Sequence, residues 1–324
     1  MKTIVIIGAG QLGSRHLQGI AKSNFDMAIE VVDPSEKSLE IAEQRYKEVA
    51  GNEFIKKVSF YMSVNDLSNT IDLAIVATSS DIRAKVINEL INKKTVKNLV
   101  LEKVLFQSID DYYKIETLLK KANIKCWVNH PRRMFPYYKE LKLLLKGANQ
   151  ISYSFQGGSW GLGCNALHFI DHLSYLTDSV DLLIDNELLN NKIYSSKRDG
   201  FIEFNGMLTG KISNNLFSLY CNENPMPSTF TISSDKVVVK IDEAKGEVCI
   251  ATKEQGWEWK VFNEKIVYFQ SELSNVLVED ILVNKKCYLP TYSVAMKLHI
   301  PFIECLLNHM KNTTGTQNEV CPIT

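Results

Sequence analysis

The sequence predicts an α/β protein of two domains, with a parallel, doubly wound sheet over residues 1–128 and an α+β domain over residues 129–324. In the first domain, apolar β-branched runs alternate with helical patterns, which is typical of a parallel sheet covered by helices. From about residue 182 to 268, short strand-like segments follow one another without helices between them, which indicates a mainly antiparallel sheet. The 324 residues also exceed what one core usually spans.

Each element of the first domain has its own signal. The predicted strands are short runs rich in Val, Ile and Leu, at residues 3–7, 28–32, 58–61, 71–77, 98–101 and 125–128. Helices are expected between them, near residues 11–22, 35–49, 81–92 and 109–122. Pro34 cannot extend a strand, so it marks the turn before the helix that starts at Ser35.

The second domain has a different pattern. A strand is expected at residues 150–156 and a helix at residues 165–177, followed by the run of short strands. Two helices, near residues 270–284 and 292–311, close the chain, and the second is a candidate to pack back on the first domain. The polar segment from Asn312 to Thr324 is expected to be loosely held.

Composition excludes several classes of protein. Hydrophobic residues make up 45% of the chain and charged residues 23%, and the formal net charge is zero. This balance argues against a surface spread over the protein that binds nucleic acid or an anionic membrane. The first apolar run is too short for a signal peptide and no run is long enough to span a membrane, so we expect a cytoplasmic protein.

The cysteines do not predict a metal site. None of the seven takes part in a Cys-x-x-Cys motif or a Cys/His ligand spacing. An odd number at irregular intervals is typical of reduced, mostly buried thiols. They stand at positions 126, 164, 221, 249, 287, 305 and 321.

A glycine turn between the first strand and the first helix predicts a dinucleotide site. Gly8 permits a tight turn, Gly10 lets the backbone approach a pyrophosphate, and Gly13 lets the helix pack close to its strand. Asp33 ends the next strand, where a carboxylate holds a ribose diol and repels a 2′-phosphate, so NAD is favoured over NADP. Glycine turns also occur where nothing binds, and Lys37 and Arg45 lie nearby in the sequence. The predicted cofactor contacts here are Gly8, Gly10, Gln11, Leu12, Gly13 and Asp33.

Five motifs together resemble the glucose-fructose oxidoreductase/inositol dehydrogenase/MocA family, abbreviated Gfo/Idh/MocA. They are Gly8-x-Gly10-x-x-Gly13-x-x-His16, Asp72-Leu-Ala-Ile-Val-Ala-Thr78, Leu101-Glu102-Lys103, Val128-Asn-His-Pro-Arg-Arg133-x-x-Pro136 and His168-Phe-Ile-Asp171. The resemblance implies an N-terminal Rossmann domain and a C-terminal α+β domain with a large open sheet. It also implies NAD(P)-linked oxidation or reduction of sugars and related polyols, by a homodimer or homotetramer.

The chain departs from the family pattern at three positions. Val104 replaces the proline of the usual Glu-Lys-Pro, so the rigid turn there is lost or rebuilt. Cys164 stands where many members carry an aspartate four residues before the helix histidine, and Asn165 is the nearest polar substitute. Ser79 replaces the proline of Ala-Thr-Pro, which changes the floor of the cofactor site.

Lys103 is the first candidate catalytic residue. With Glu102 it follows the strand at residues 98–101, at the edge of a parallel sheet where ligands bind. An ammonium there would stabilise a developing alkoxide, and burial would suit it to proton transfer. The alternative is a solvated lysine paired with a neighbour such as Glu102. Glu102 and Lys103, with Thr78 and Ser79, complete the predicted cofactor contacts.

His168 is the second candidate. At about 100° per residue, His168, Asp171, His172 and Tyr175 share one face of the predicted helix. The alternative is an ordinary amphipathic helix with this face in water. With the family resemblance, we expect His168 to exchange the proton of a sugar hydroxyl while Lys103 supports its oxygen. Asp171 would orient His168 or substrate hydroxyls.

The sequence offers further candidates for substrate binding. Arg133 could clamp a phosphate or carboxylate, although an interdomain ion pair by Arg132 or Arg133 fits equally well, and His130 reads as structural. Trp160, in a glycine-rich segment, could pack on a sugar face or belong to a flexible loop. The predicted substrate-binding residues are Asp171, Asn165, Arg133, His172 and Trp160.

Together these observations predict an NAD-dependent dehydrogenase. Its substrate would be a sugar derivative, either a sugar phosphate or a nucleotide sugar, in carbohydrate biosynthesis. Two alternatives stay open. One is a sugar epimerase or lyase that keeps its NAD bound, and the other is a catalytically inactive NAD-binding regulator.

Overall fold

The computed structural model describes residues 1–49 and 51–324, which form two compact units. The first unit comprises Met1–Phe106, Asp110–Pro131 and Tyr268–Ser293. The second comprises Gln107–Ile109, Arg132–Val267 and Val294–Thr324. The chain thus leaves the first unit close to the predicted boundary, but a later segment that was expected in the second domain returns to it.

The helices and strands have the following bounds. In chain order the strands are β1 (Lys2–Ile7), β2 (Met27–Val32), β3 (Ile55–Tyr61), β4 (Thr70–Ile71), β5 (Leu73–Val76), β6 (Thr95–Val96), β7 (Asn98–Leu101), β8 (Lys125–Val128), β9 (Ile151–Gly158), β10 (Leu182–Asp185), β11 (Tyr194–Ser195), β12 (Ile202–Glu203), β13 (Gly206–Ile212), β14 (Asn215–Asn222), β15 (Thr229–Ser234), β16 (Val237–Asp242), β17 (Glu247–Thr252) and β18 (Lys260–Asn263). The helices are α1 (Gln11–Ile20), α2 (Glu36–Lys47), α3 (Ser80–Lys93), α4 (Ile109–Lys121), α5 (Pro136–Leu145), α6 (Leu162–Thr177), α7 (Gln270–Leu282) and α8 (Tyr292–Thr314).

The first unit is built on a parallel sheet with the strand order β3-β2-β1-β5-β7-β8. The chain starts in the middle of this sheet and winds outward in both directions, which is the doubly wound arrangement expected from the sequence. The central strands β1 and β5 are rich in Ile and Val and almost wholly buried. Their carboxyl ends, near Ile7 and Val76, therefore lie side by side at one edge of the sheet.

The second unit contains a larger sheet with the order β10-β13-β14-β9-β15-β16-β17-β18. Its pairs are antiparallel except for β9 with β14. Along β14, Phe217 is buried whereas its neighbour Leu216 is 46% exposed, so one face of the sheet carries the core and the other is open. The predicted fold class is confirmed in both units.

Helix α7, rather than the last helix, belongs to the first unit. It packs closely on α1, since a Cβ atom on Gly19 would lie 2.7 Å from the Cβ of Ser274. Lys22 Nζ donates to the main-chain oxygen of Ser271 at 3.0 Å, and Val128 N donates to Pro290 O at 3.0 Å at the edge of the sheet. From Val294 onward, α8 belongs to the second unit.

The end of the chain is held by main-chain hydrogen bonds, so the expectation of a loose segment was wrong. Cys321 and Ile323 are fully buried. Cys321 N donates to Gln107 O at 3.0 Å, and Ile202 N donates to Pro322 O at 2.8 Å. These partners are far away in sequence, which is why the polar composition of the segment did not reveal them.

Membrane-spanning helices and clusters of metal-binding side chains are both absent from the described residues. Over residues 1–49 and 51–324, no helix has the length and apolar character needed to cross a membrane. Within the same residues, no group of three or more His, Cys, Asp or Glu side chains is arranged to hold a metal ion.

Candidate functional site

The glycine turn has the geometry that a bound pyrophosphate requires. Gly8 has a φ of +94°, and a Cβ atom there would lie 3.0 Å from the main chain of Thr78. A Cβ atom on Gly13 would lie 1.8 Å from the oxygen of Gly8, so only glycine allows α1 to approach β1 this closely. At Gly10 a Cβ atom would meet nothing within 4 Å, which leaves open space beside the backbone.

The start of α1 faces this open space. Gly10 is the N-cap residue and no side chain caps the helix, so its first N–H groups are available to an anion. Arg45 steadies the turn, because its guanidinium donates to Gln11 Oε1 at 2.7 Å and to Ser14 Oγ at 2.5 Å. Gln11 and Leu12 are exposed at the first two positions of the helix.

Asp33 is fixed beside the turn. Its Oδ2 accepts a hydrogen bond from Ala9 N at 2.7 Å, and its Oδ1 accepts one from Ser35 N at 2.8 Å. The carboxylate is half-buried, and each oxygen retains a second lone pair. It is therefore oriented to accept hydrogen bonds from a ribose diol.

The floor of the predicted cofactor site is tied together by Arg83, which sequence reasoning missed. This guanidinium is buried and donates to the main-chain oxygens of Thr78, Val104 and Leu105. It thereby joins the loops that follow β5 and β7. The hydroxyl of Thr78 is buried with no hydrogen-bond partner, and the N-cap residue Ser79 makes no side-chain capping bond to α3. Both hydroxyl groups can therefore serve a ligand.

Glu102 and Lys103 follow β7 directly, as predicted. Glu102 is buried, and its Oε1 lies 2.9 Å from His16 Nε2 and accepts a hydrogen bond from Asn129 Nδ2 at 2.5 Å. Burial alone would raise the pKa of this carboxyl, but the bonds and positive charge of His16, with Asn129 and Arg83, hold it below its ordinary value. The Glu102 carboxylate is thus enclosed by His16 and Asn129 rather than exposed to solvent. Lys103 is half-buried and its peptide bond to residue 104 is cis.

In the second unit, α6 begins at Leu162, three residues before the predicted start. The carboxylate of Glu203 accepts hydrogen bonds from Gly163 N at 2.7 Å and Cys164 N at 3.2 Å, and so caps the helix from a distant strand. Asn165 lies in the first turn, where its Nδ2 donates to Trp160 O at 2.7 Å. The polar substitute suggested by the sequence therefore holds the preceding loop.

The face of α6 that carries the predicted titratable groups is mostly occupied by the protein itself. His168 is half-buried, whereas Asp171 is fully buried. Arg133 donates from Nε to Asp171 Oδ2 at 2.8 Å and from Nη2 to Oδ1 at 2.7 Å. Burial raises the pKa of Asp171, although Arg133 and His299 oppose the rise. Asp171 and Arg133, both predicted to bind substrate, are thus paired with each other within the second unit.

His172 lies in the core rather than at a substrate surface. Its Nδ1 is 3.0 Å from the hydroxyl of Tyr153 on β9, and its ring centroid is 4.0 Å from that of Tyr138 on α5. Burial, with the charges of Arg132 and Arg133, holds the pKa of His172 well below its ordinary value. Because α5 and the sheet both pack on α6, the helix is buried over more of its circumference than an amphipathic pattern indicates.

Two further predictions concerned Trp160 and Arg132. Trp160 Nε1 donates to Tyr220 O at 2.8 Å, and the ring packs edge-on against Phe155 and Phe169, so the half-buried side chain is held in place by packing. Arg132 makes a two-bond pair with Glu243, at 3.2 and 2.7 Å. Glu243, which sequence reasoning missed, also accepts the hydroxyl of Tyr138.

Comparison with known proteins agrees with this geometry. Residues 2–130 match a family model described as an oxidoreductase family with an NAD-binding Rossmann fold, whereas no curated protein sequence matches the chain. Among solved structures, an oxidoreductase from Agrobacterium radiobacter in complex with NAD+, L-tartaric acid and magnesium is 10% identical, with a TM-score of 0.71, over 97% of each chain.

Two other solved structures share the fold. UDP-N-acetylglucosamine 3-dehydrogenase from Acidithiobacillus ferrooxidans is 12% identical, with a TM-score of 0.65, over 94% of this chain and 96% of its own. A super-repressor mutant of the regulator Gal80p from Saccharomyces cerevisiae is 15% identical, with a TM-score of 0.69, over 96% of this chain and 97% of its own. Residues 2–130 are thus similar to the Gfo/Idh/MocA family of NAD-binding oxidoreductases, and the solved structures share the fold of nearly the whole chain.

Proposed function

We propose that the protein is an NAD-dependent oxidoreductase that transfers a hydride between nicotinamide and a hydroxyl or keto carbon of a sugar derivative. The observation that carries the proposal is the glycine turn, where the space beside Gly10 is open and Asp33 is fixed next to it. The retention of Lys103 at the end of β7 supports catalysis as well as binding.

The residues present fit a dinucleotide. The N–H groups at the start of α1 would receive the pyrophosphate, and Asp33 would receive the adenosine ribose. NAD is favoured over NADP because Asp33 repels a 2′-phosphate, while Arg45, one of the two nearby cations that would attract one, is engaged with Gln11 and Ser14. When bound, the nicotinamide ring supplies the hydride chemistry.

The chain's own groups then have separate tasks. The ammonium of Lys103 stabilises negative charge on the substrate oxygen, and the imidazole of His168 exchanges the hydroxyl proton. Asp171 contributes by holding Arg133 rather than by touching substrate.

The substrate class is a sugar derivative. The solved dehydrogenase that acts on UDP-N-acetylglucosamine supports this class through its shared fold. The arginine pair does not add support for a phosphate group, since both guanidinium groups are bound by carboxylates. Neutral sugars, sugar phosphates and nucleotide sugars therefore all belong in the test.

The test is steady NADH production by the purified protein with such a panel. Lys103→Met should lower kcat at least a hundredfold and leave NAD affinity, measured by calorimetry, within about threefold. His168→Ala should do the same. Lys121→Met, on the exposed side of α4, is the matched control and should leave both quantities unchanged. NAD binding that is lost while turnover persists would contradict the proposal.

A catalytically inactive NAD-binding regulator is the second candidate. It is favoured by Cys164 at the position of the usual aspartate and by the engagement of Asp171 with Arg133. The Gal80p structures share the fold of the whole chain. Tight NAD binding with no turnover on any sugar of the panel would favour this candidate.

A further inference from the structure

Five buried or half-buried side chains of the first unit form a closed ring of hydrogen bonds, which we call the His16 ring. His16 lies on α1, three residues after the last glycine of the turn. Glu102 and Asn129 follow the strands β7 and β8, and Gln270 and Ser274 lie one turn apart on α7. The ring therefore joins the nucleotide-binding helix, the turn that carries Lys103 and a helix from a distant part of the chain.

Neighbouring side chains of the His16 ring lie within hydrogen-bonding distance of each other. The distances are His16 Nε2 to Glu102 Oε1, 2.9 Å; Asn129 Nδ2 to Glu102 Oε1, 2.5 Å; Asn129 Nδ2 to Gln270 Oε1, 2.8 Å; Gln270 Nε2 to Ser274 Oγ, 2.9 Å; and Ser274 Oγ to His16 Nδ1, 2.9 Å. The imidazole of His16 is fully buried, and the side chain of Glu102 is 4% exposed. Its proton positions follow from which atoms are able to donate.

Glu102, Asn129 and Gln270 determine which atoms donate and which accept in this part of the ring. A carboxylate only accepts, so Asn129 turns its amide nitrogen toward Glu102. The same nitrogen faces Gln270, whose side-chain oxygen must accept. The side-chain nitrogen of Gln270 then donates to Ser274 Oγ.

The hydrogen bonds of Ser274 determine whether Nδ1 of His16 carries a proton. Its hydroxyl has one hydrogen, and a main-chain oxygen, that of Gln270, lies 2.8 Å away and only accepts. The hydroxyl therefore donates there, and its two lone pairs receive Gln270 Nε2 and His16 Nδ1. Nδ1 of His16 thus carries a proton.

The remaining proton lies between His16 Nε2 and Glu102 Oε1. This pair of side chains is either a neutral imidazole facing a carboxylic acid or an imidazolium facing a carboxylate. Oε1 already accepts the short bond from Asn129, and the charge of Arg83 also favours a carboxylate. The second arrangement is therefore the more stable one.

We propose that His16 is a positioning residue, held as a doubly protonated imidazolium by the His16 ring, and that it fixes the turn carrying Lys103 through the Glu102 carboxylate. The protonation state follows from the hydrogen bonds of the His16 ring together with the charge of Arg83. The catalytic consequence rests on the proposed function, because only then does the placement of Lys103 affect a rate.

The first experiment uses the cofactor-free protein with its histidine rings labelled with nitrogen-15. At pH 7, the His16 resonances, assigned by their loss in His16→Gln, should show protons on both nitrogens. The charged groups that face the ring are Glu102 and Arg83; Asn129, Gln270 and Ser274 are neutral. Glu102→Gln should therefore convert His16 to a neutral ring. One unprotonated nitrogen in the unaltered protein would overturn the proposal.

The second experiment tests positioning with Ser274→Ala, which removes the acceptor of Nδ1. We expect kcat to fall about tenfold to a hundredfold, with NAD affinity within threefold, because a small misplacement of a catalytic group has effects of this size. Ser271→Ala, on the same helix and outside the ring, is the matched control. An unchanged kcat together with an unchanged His16 spectrum would overturn the positioning role. Absence of turnover in the unaltered protein would refute the proposed function and leave the spectrum to decide the protonation state.

Discussion

The ion pair between Asp171 and Arg133 provides a quantitative test of how the second unit is stabilised. Asp171 is fully buried, and the Arg133 side chain is 11% exposed. Removing one partner of such a pair leaves a buried charge without compensation, which costs about 3–5 kcal/mol. At roughly 2–4 °C per kcal/mol for a unit of this size, Asp171→Ala should lower the melting temperature by about 6–20 °C.

Urea and thermal unfolding of two further variants isolate the charge effect. Asp178→Ala removes a carboxylate next to the end of the same helix, but this one is 78% exposed and bound only to Lys142, so its loss should cost about 1 kcal/mol or less. The double variant Asp171→Leu with Arg133→Met removes both charges and should recover most of the lost stability. A loss below 1 kcal/mol in Asp171→Ala, or no recovery in the double variant, would refute the reasoning.

Three other predictions concern single positions. Gly10→Ala should leave the melting temperature within about 1 °C but weaken NAD binding at least tenfold. Gly13→Ala should weaken binding and also destabilise the protein, because its Cβ would lie 1.8 Å from the oxygen of Gly8. Thermal scans measure the stability of both variants, and calorimetry measures their NAD affinity. The pKa of Glu102 is lower in the folded protein than in the unfolded chain, where it is about 4.3. The ionised carboxylate therefore stabilises the fold above pH 4.3, and this stabilisation is lost as the pH falls through the folded-state pKa. Urea midpoints between pH 3 and 6 should therefore show a flatter slope for Glu102→Gln, and an identical slope would contradict this. The pKa of His172 is also lowered, so the unfolded chain binds this proton first and stability falls as the pH drops below about 6.5; His172→Phe should reduce that fall in the same titration.

The parts of the fold that the sequence predicted correctly are those with local causes. The β-branched run before Gly8 forms a strand, and glycine is required by a φ of +94° at position 8 and by the nearby oxygen of Gly8 at position 13. Lys103 falls at the end of β7 because this strand, with three consecutive apolar residues, ends directly before Glu102.

What the sequence left open depends on partners that are distant along the chain. The start of α6 is set by Glu203, the burial of His172 by α5 and β9, and the end of the chain by Gln107. Arg83 gave a signal that was overlooked, since it shares the buried face of α3 with Ile87 and Leu90 at helical spacing. A cationic residue at a core position of this kind indicates a buried hydrogen-bonding role.

The return of residues 268–293 to the first unit has a consequence for synthesis. While the chain emerges from the ribosome, the strands β1 to β8 are complete by residue 128, but α1 has no α7 to cover Gly19, and His16 has no Ser274. The nucleotide-binding unit therefore reaches its final form only after most of the second unit has been made. A fragment ending at Pro131 would contain every residue of the glycine turn and should still fold poorly on its own.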